Sequence, residues 1–378
     1  MGVLDNKRII VVTLAGVFGC VFMSSILSKY FEQIFKQKID YSDLNIARMD
    51  GGGIQNSSNL DNKLILVNAY MRSGSTFLGG LLGHQEKIFY FYEPLHRMIS
   101  WNYLNGTNVC KYTEPVCTER PGVRDEALDY LEDLFKCTMR PHENKFNEKL
   151  HTEEKLAGSK WNKFRNCRKS STIQSCLELM ENDCRKYNYR SMKVLRMSLN
   201  DSVLLLDRLP NLKMIHLFRD PRAIINSHIY TPWYKEHTKT SENDIKTNCH
   251  RIENDVIAAL KLTKLYPERL MAVHYEDLYG NFQKLEKVYN FTGMTVTPGV
   301  KRFLHQESSK KFSGTKNVKG HDSRFKYRAT LSFETVKLID KHCAKALELL
   351  GLRTYSSASQ LKDFKVNPVI NKLPFTIE

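Results

Sequence analysis

The chain predicts an α/β fold, a mainly parallel sheet flanked by helices and resembling the phosphate-binding-loop kind, on two observations. From Asn62 onward, apolar β-branched runs alternate with amphipathic stretches, the pattern of strands joined through crossover helices. Two of the runs end in segments suited to an anion, Arg72-Ser73-Gly74-Ser75-Thr76-Phe77-Leu78 and Arg219-Asp220-Pro221-Arg222. Ligands of such sheets sit at the carboxyl ends of the strands, where both segments fall.

The elements follow in order. Residues 1–8 are a short tail, and Ile9–Leu27 is an uncharged apolar run preceded by Lys7 and Arg8. It is long enough to span a bilayer as an uncleaved anchor with a cytoplasmic tail; a cleaved signal peptide is the rival reading. Residues 28–61 are polar, with Gly51-Gly52-Gly53 and Asn56-Ser57-Ser58-Asn59, and read as a stem. The folded domain is placed at 62–355, with 356–378 as a C-terminal tail. Strands are expected at Lys63–Tyr70, Ile88–Tyr92, Ser191–Met197, Leu212–Phe218 and Leu270–Tyr275. Helices are expected from Thr76, over Asp125–Cys137, around Val203–Leu209, from Pro221 to His228, over Asp244–Leu265 and Asn281–Tyr289, and over Ser332–Leu350 before Gly351. Pro221 suits the first turn of its helix.

The chemistry begins at Arg72. A loop between strand and helix aims backbone N–H groups and a helix N-terminus at one spot, which suits phosphate or sulfate. Arg72 adds a forked cation. The nucleotide-kinase pattern G-x-x-x-x-G-K-[ST] is absent, so ATP with magnesium is not expected. Arg219 at a strand end and Ser227 about two helical turns later can hold one phosphate together.

These two segments resemble the 5′-phosphosulfate loop and the 3′-phosphate motif of the Golgi carbohydrate sulfotransferases. The likeness is strongest to the branch acting on the 6-hydroxyl of galactose, N-acetylgalactosamine or N-acetylglucosamine. The resemblance implies 3′-phosphoadenosine 5′-phosphosulfate as co-substrate, without a metal. It implies donor contacts across Arg72, Ser73, Gly74, Ser75, Thr76, Phe77 and Leu78, and across Arg219, Asp220, Pro221, Arg222 and Ser227. Phe91-Tyr92-Glu93-Pro94-Leu95 resembles the family's Phe-x-Glu-Pro-Leu string, which makes Glu93 the expected general base. Desolvation beside aromatics would raise its pKa towards the working range. His96 is the alternative base, and Arg72 is expected to balance leaving-group charge. Lys193 and Arg196 are candidates for meeting an anionic sugar or the donor, and Trp233 and Tyr234 for sugar platforms. The basic run from Lys310 to Lys326 could clamp the donor or be a solvated loop. Two strings depart from the family: Tyr327-Arg328 stands where Trp-Arg is usual, and His274 where arginine is usual.

Composition fixes the setting. The formal charge is +16, from 57 basic against 41 acidic residues, which favours nucleic acid, anionic membranes or acidic sugars as partners. The anchor and the N-x-[ST] acceptors Asn56, Asn105, Asn200 and Asn290 oppose nucleic acid and favour a luminal glycoprotein; the resemblance implies that its membrane is that of the Golgi. The resemblance implies a proteoglycan or glycoprotein chain as acceptor, and the apolar run implies the membrane as a partner; a homodimer is compatible with the sequence. Cys20 lies in the apolar run. Cys110, Cys117, Cys137, Cys167, Cys176, Cys184, Cys249 and Cys343 are an even set, expected as disulfides with no pairing assigned. The first six would staple an insertion between strands. Zinc is the alternative, opposed by the lack of a Cys-x-x-Cys pair. A non-catalytic glycan- or heparin-binding membrane protein is the competing functional class.

Overall fold

The computed structural model describes residues 62–378, apart from 84, 86, 147–159, 233, 235–240, 310–323, 371–373 and 376–378. The tail, the apolar run Ile9–Leu27, the stem, Asn56, Trp233 and most of the basic run lie outside the described residues. Among the described residues, no helix is long and apolar enough to cross a membrane.

Strand β1 (Lys63–Ala69) is the centre of the fold because its sequence, KLILVNA, is buried on both faces after Lys63. Alternation sends Leu64 and Leu66 into one core layer and Ile65 and Val67 into the other. Strands β2 (Ile88–Tyr92), β6 (Tyr189–Val194), β7 (Leu212–Phe218) and β8 (Leu270–His274) complete a sheet of order β2-β6-β1-β7-β8. All four pairings are parallel. Chain order reverses at β1, which sits between β6 and β7. A crevice therefore opens beyond the carboxyl ends of these strands.

An insertion between β2 and β6 contains a second, antiparallel sheet of β3 (Asn102–Asn105), β4 (Asn108–Lys111) and β5 (Cys117–Glu119). Sequence patterning does not reveal these strands, because they are short and polar and their ends carry the signal of turns. Helices Val123–Phe135, Lys160–Cys167 and Ile173–Cys184 follow. Disulfides Cys110–Cys117, Cys137–Cys184 and Cys167–Cys176 close the insertion. Cys249–Cys343 ties the helix Glu242–Leu265 to the C-terminal helices. All eight cysteines outside the apolar run are thus consumed as disulfides, and the zinc alternative falls.

Element ends differ from the sequence expectation by a few residues, as where β6 runs over Tyr189–Val194 rather than Ser191–Met197, and two larger differences lie towards the C-terminus. The helix expected over Ser332–Leu350 is two, Phe333–His342 and Ala344–Leu349. The break falls at the disulfide residue Cys343, whose φ of −96° and ψ of 11° leave the helical region. The segment beyond 355, expected as a C-terminal tail, packs on the body: Leu361 is fully buried, and Arg328 donates to the carbonyls of Leu361, Asp363 and Val366. A bridge between Leu352 and Val369 secures its end.

Candidate functional site

β1 delivers the chain to the crevice, where it turns sharply. The N–H and the hydroxyl of Ser73 both donate to the Tyr70 carbonyl, at 3.2 and 2.8 Å. Arg72 takes a left-handed φ of 67° and Gly74 a φ of 93°. The Arg72 conformation costs on the order of 1–3 kcal/mol and must be held by its surroundings. Gly74 is demanded twice. Its φ suits only glycine well, and an added Cβ would lie 2.2 Å from the Tyr275 ring. The helix Ser75–Gly83 starts directly after it. Its first amides, including those of Ser75 and Thr76, have no partner within the helix and mark an anion-binding end.

The second segment meets the first here. Arg72 Nε donates to Ser227 Oγ at 2.8 Å, joining residues 155 apart in sequence. Ser227 lies on the helix Pro221–Tyr230 that β7 feeds. Arg219, between that strand and that helix, donates from Nη1 to the Arg72 carbonyl at 2.8 Å. Its guanidinium lies over the Tyr275 ring, 4.6 Å from the centroid. Burial lowers the Arg72 pKa, and the charge of Arg219 lowers it further. An anion between the two would reverse the second effect.

Other members of the two segments have side chains held within the fold. Asp220 and Arg222 are wholly buried. Asp220 caps the helix by accepting from the Arg222 N–H, and its carboxylate binds the Arg222 guanidinium through two contacts of 2.9 Å. Arg222 also donates to the Arg353 carbonyl at 2.6 Å. Pro221 and Leu78 pack in the interior, and Ser73 is used up in its turn. The side chains of Ser73, Leu78, Asp220, Pro221 and Arg222 are thus engaged or buried within the fold. Phe77 stays half-buried and edge-on to Tyr275, with Tyr279 also near.

The third component comes from β2 and β6. Glu93 follows β2 with a φ of 43°. Its Oε1 lies 2.9 Å from Lys193 Nζ and its Oε2 2.5 Å from Arg196 Nη1. All three side chains are buried. Burial alone would raise the Glu93 carboxyl, but the two cations outweigh it and bring the pKa down to about 2. The expectation of a raised pKa is therefore corrected: Glu93 is held as a carboxylate. Lys193 Nζ also reaches Thr76 Oγ1 at 3.4 Å, and lies 3.7 Å above the Tyr92 ring. This lysine bridges the anion loop and the carboxylate. His96 opens the short helix after Glu93, its N–H bonded to the Glu93 carbonyl, and its ring is edge-on to Trp101. Tyr234 is fully buried and stacked on His228, so its expected place as a sugar platform is corrected to core packing.

Tyr275, expected as the end of a strand, opens the short helix Tyr275–Leu278 and belongs to the site. It packs against Gly74 and underlies Arg219. The signal available was the string Tyr275-Glu276-Asp277-Leu278. In that string, Glu276 accepts the Asp220 N–H at 3.0 Å. Burial raises the Glu276 carboxyl to about 7, although Arg219 opposes the rise.

A family model described as "Sulfotransferase family" matches residues 65–298. Carbohydrate sulfotransferase 1 of Danio rerio is 28% identical over 357 residues, covering 82% of this chain and 83% of its own. Carbohydrate sulfotransferase 3 of Homo sapiens is 23% identical, covering 80% and 70%. Among solved structures, a mouse sulfotransferase complexed with PAP aligns over 80% of this chain and 89% of its own, with 11% identity and a TM-score of 0.37.

Proposed function

The chain belongs to the sulfotransferase family, and on that premise we propose that it moves a sulfuryl group from 3′-phosphoadenosine 5′-phosphosulfate to a glycan hydroxyl. The favoured acceptor is the 6-hydroxyl of galactose, N-acetylgalactosamine or N-acetylglucosamine, as the names of the carbohydrate sulfotransferase relatives suggest only in class. The observation that carries the reading is the convergence of Arg72, Ser227 and Arg219 from two distant segments at the strand ends.

In this reading Arg219 and Ser227 hold the 3′-phosphate. Arg72, the first amides of the helix Ser75–Gly83 and the Thr76 hydroxyl hold the 5′-phosphosulfate, with Phe77 and Tyr275 as aromatic walls. Glu93 takes the proton from the acceptor hydroxyl as its oxygen bonds to sulfur. The bond from sulfur to the bridging oxygen breaks, and the charge on the departing phosphate is met by Arg72 and Lys193. Lys193 gives the two ends a shared part. Its attraction to a bound phosphosulfate loosens its hold on Glu93, so the carboxylate gains basicity when the donor is in place. His96 is the substitute base. Arginines and helix amides supply the electrostatic work, so no divalent ion is required.

The setting proposed is the Golgi lumen, with Ile9–Leu27 as a type II anchor. Eight paired cysteines suit an oxidising compartment. Asn105, Asn200 and Asn290 are exposed. Asn105 sits at a turn between β3 and β4, the geometry that best suits glycosylation, whereas Asn200 and Asn290 lie in helices. The test is transfer of labelled sulfate from the donor to chondroitin, keratan and N-acetylglucosamine-ended glycans, with the position read from the product. Label on a 6-hydroxyl supports the reading. Label on another position refutes the 6-hydroxyl assignment, and no label with no donor binding refutes the whole.

A further inference from the structure

We infer that Tyr112, carried on the disulfide-closed hairpin of the insertion, is a positioning residue that holds the anion loop in shape; the inference rests on the donor reading above. The hydroxyl of Tyr112 accepts a hydrogen bond from the Met71 N–H at 2.9 Å. Met71 is the residue directly before Arg72, whose left-handed φ of 67° needs support from outside the loop. Met71 and Tyr112 are both buried. The Met71 amide therefore has no easy recourse to water if the hydroxyl is removed.

The hairpin is built to present that hydroxyl. Cys110 and Cys117 face each other across β4 and β5 and are joined as a disulfide. The enclosed loop is closed further by the Lys111 N–H on the Val116 carbonyl at 2.8 Å. Arg251, from the helix Glu242–Leu265, donates to the carbonyls of Tyr112 and Lys111 at 2.6 and 2.9 Å. Its guanidinium lies over the rings of Tyr103 and Tyr112, at 4.1 and 4.7 Å. The Tyr112 N–H donates to the Trp101 carbonyl at 3.2 Å.

The neighbouring strand of the same sheet, β3, touches the other half of the site. The Leu104 N–H donates to the Arg196 carbonyl at 2.8 Å, and the Ser198 N–H to the Leu104 carbonyl at 3.1 Å. Arg196 is the residue that pairs with Glu93. Its Nη2 also lies 3.9 Å from Met71 Sδ. The insertion thus fixes the residue before Arg72 and the backbone of Arg196 as one unit. Cys110–Cys117 encloses Tyr112 in its loop and acts through the pose of that residue.

The test uses the full chain and 3′-phosphoadenosine 5′-phosphate as titrant, with donor KM and kcat measured alongside. Tyr112→Phe keeps the ring and its packing and removes only the acceptor. It is expected to weaken donor-product affinity and raise donor KM about five- to tenfold, with a smaller change in kcat. Tyr103→Phe is the comparison, since that ring stacks under the same Arg251, and it is expected to leave donor affinity unchanged. Replacing Cys110 and Cys117 together by serine should weaken donor affinity in the same direction, and combining it with Tyr112→Phe should add less than the sum of the two losses. Unchanged affinity in Tyr112→Phe, or an equal loss in Tyr103→Phe, overturns the inference. Fully additive losses in the combined variant overturn the part given to the disulfide. Absence of binding by the unaltered chain would instead refute the donor reading itself.

Discussion

Replacing Glu93 by glutamine separates its chemistry from its scaffolding. The carboxylate lies 2.9 Å from Lys193 Nζ and 2.5 Å from Arg196 Nη1. Those two side chains are 0% and 2% exposed. Glutamine keeps the shape but leaves two buried cations without their counter-charge. Removing one partner of a buried pair costs about 3–5 kcal/mol. For a body of this size that is a fall of roughly 6–10 °C in Tm. A proton-accepting role predicts a further loss confined to turnover, about 100-fold or more in kcat. Affinity for 3′-phosphoadenosine 5′-phosphate should stay within about threefold, because Arg72, Arg219 and Ser227 are untouched. The assay pairs steady-state sulfate transfer with calorimetric titration on the same preparation, at a temperature well below the lowered Tm. Turnover close to that of the unaltered chain would remove Glu93 from proton transfer and turn attention to His96. A parallel collapse of donor-product affinity would make Glu93 a scaffold alone.

Three shorter expectations follow from the same geometry. Gly74→Ala should abolish donor binding, since its Cβ would sit 2.2 Å from the Tyr275 ring at a φ of 93°; retained binding in a titration would refute the tight loop. Arg219→Ala should weaken donor-product affinity by about tenfold or more, since charged hydrogen bonds contribute about 1.5–3 kcal/mol; unchanged affinity would remove Arg219 from the phosphate site. Burial raises the Asp255 carboxyl from 3.8 to about 7, against the hydrogen bonds it accepts from the Leu199 N–H and the Tyr70 hydroxyl. The folded state therefore binds an extra proton. The stability this gives is full below about pH 4 and is lost as pH rises through about 7. Asp255→Asn should flatten that part of the Tm-against-pH curve, and an unchanged slope would contradict the assignment.

Much of this architecture was legible because four of the five parallel strands are mainly apolar runs, as in Leu64–Ala69 and Leu212–Phe218, whereas β6 carries Arg190, Ser191 and Lys193. Periodicity registers such strands directly. The same runs placed Arg72 and Arg219 at the carboxyl edge, where the structure joins them. What stayed hidden depended on direction rather than on residue type. Arg219 and Arg222 are three apart in one string, yet the first faces the anion loop and the second is wholly buried on Asp220. Nothing in the string says which turns inward. The sign of the Glu93 shift was likewise out of reach. Aromatic neighbours were visible beside it, but the cations that decide the outcome come from β6 and the turn after it, roughly a hundred residues on. The strands β3 to β5 were missed because each is three or four residues long and partly exposed. Their order comes from the Cys110–Cys117 disulfide and from the Leu104–Met197 bridge.

The central claim is that two distant segments form one site for a doubly phosphorylated nucleotide. Titrating 3′-phosphoadenosine 5′-phosphate into the unaltered chain and into Arg72→Ala, Ser227→Ala and the double variant tests it most directly. The account predicts saturable binding of one molecule per chain. It also predicts losses in each single variant that fail to add in the double, because Arg72 Nε and Ser227 Oγ are in contact at 2.8 Å. No saturable binding by the unaltered chain, or binding that neither substitution disturbs, would contradict it.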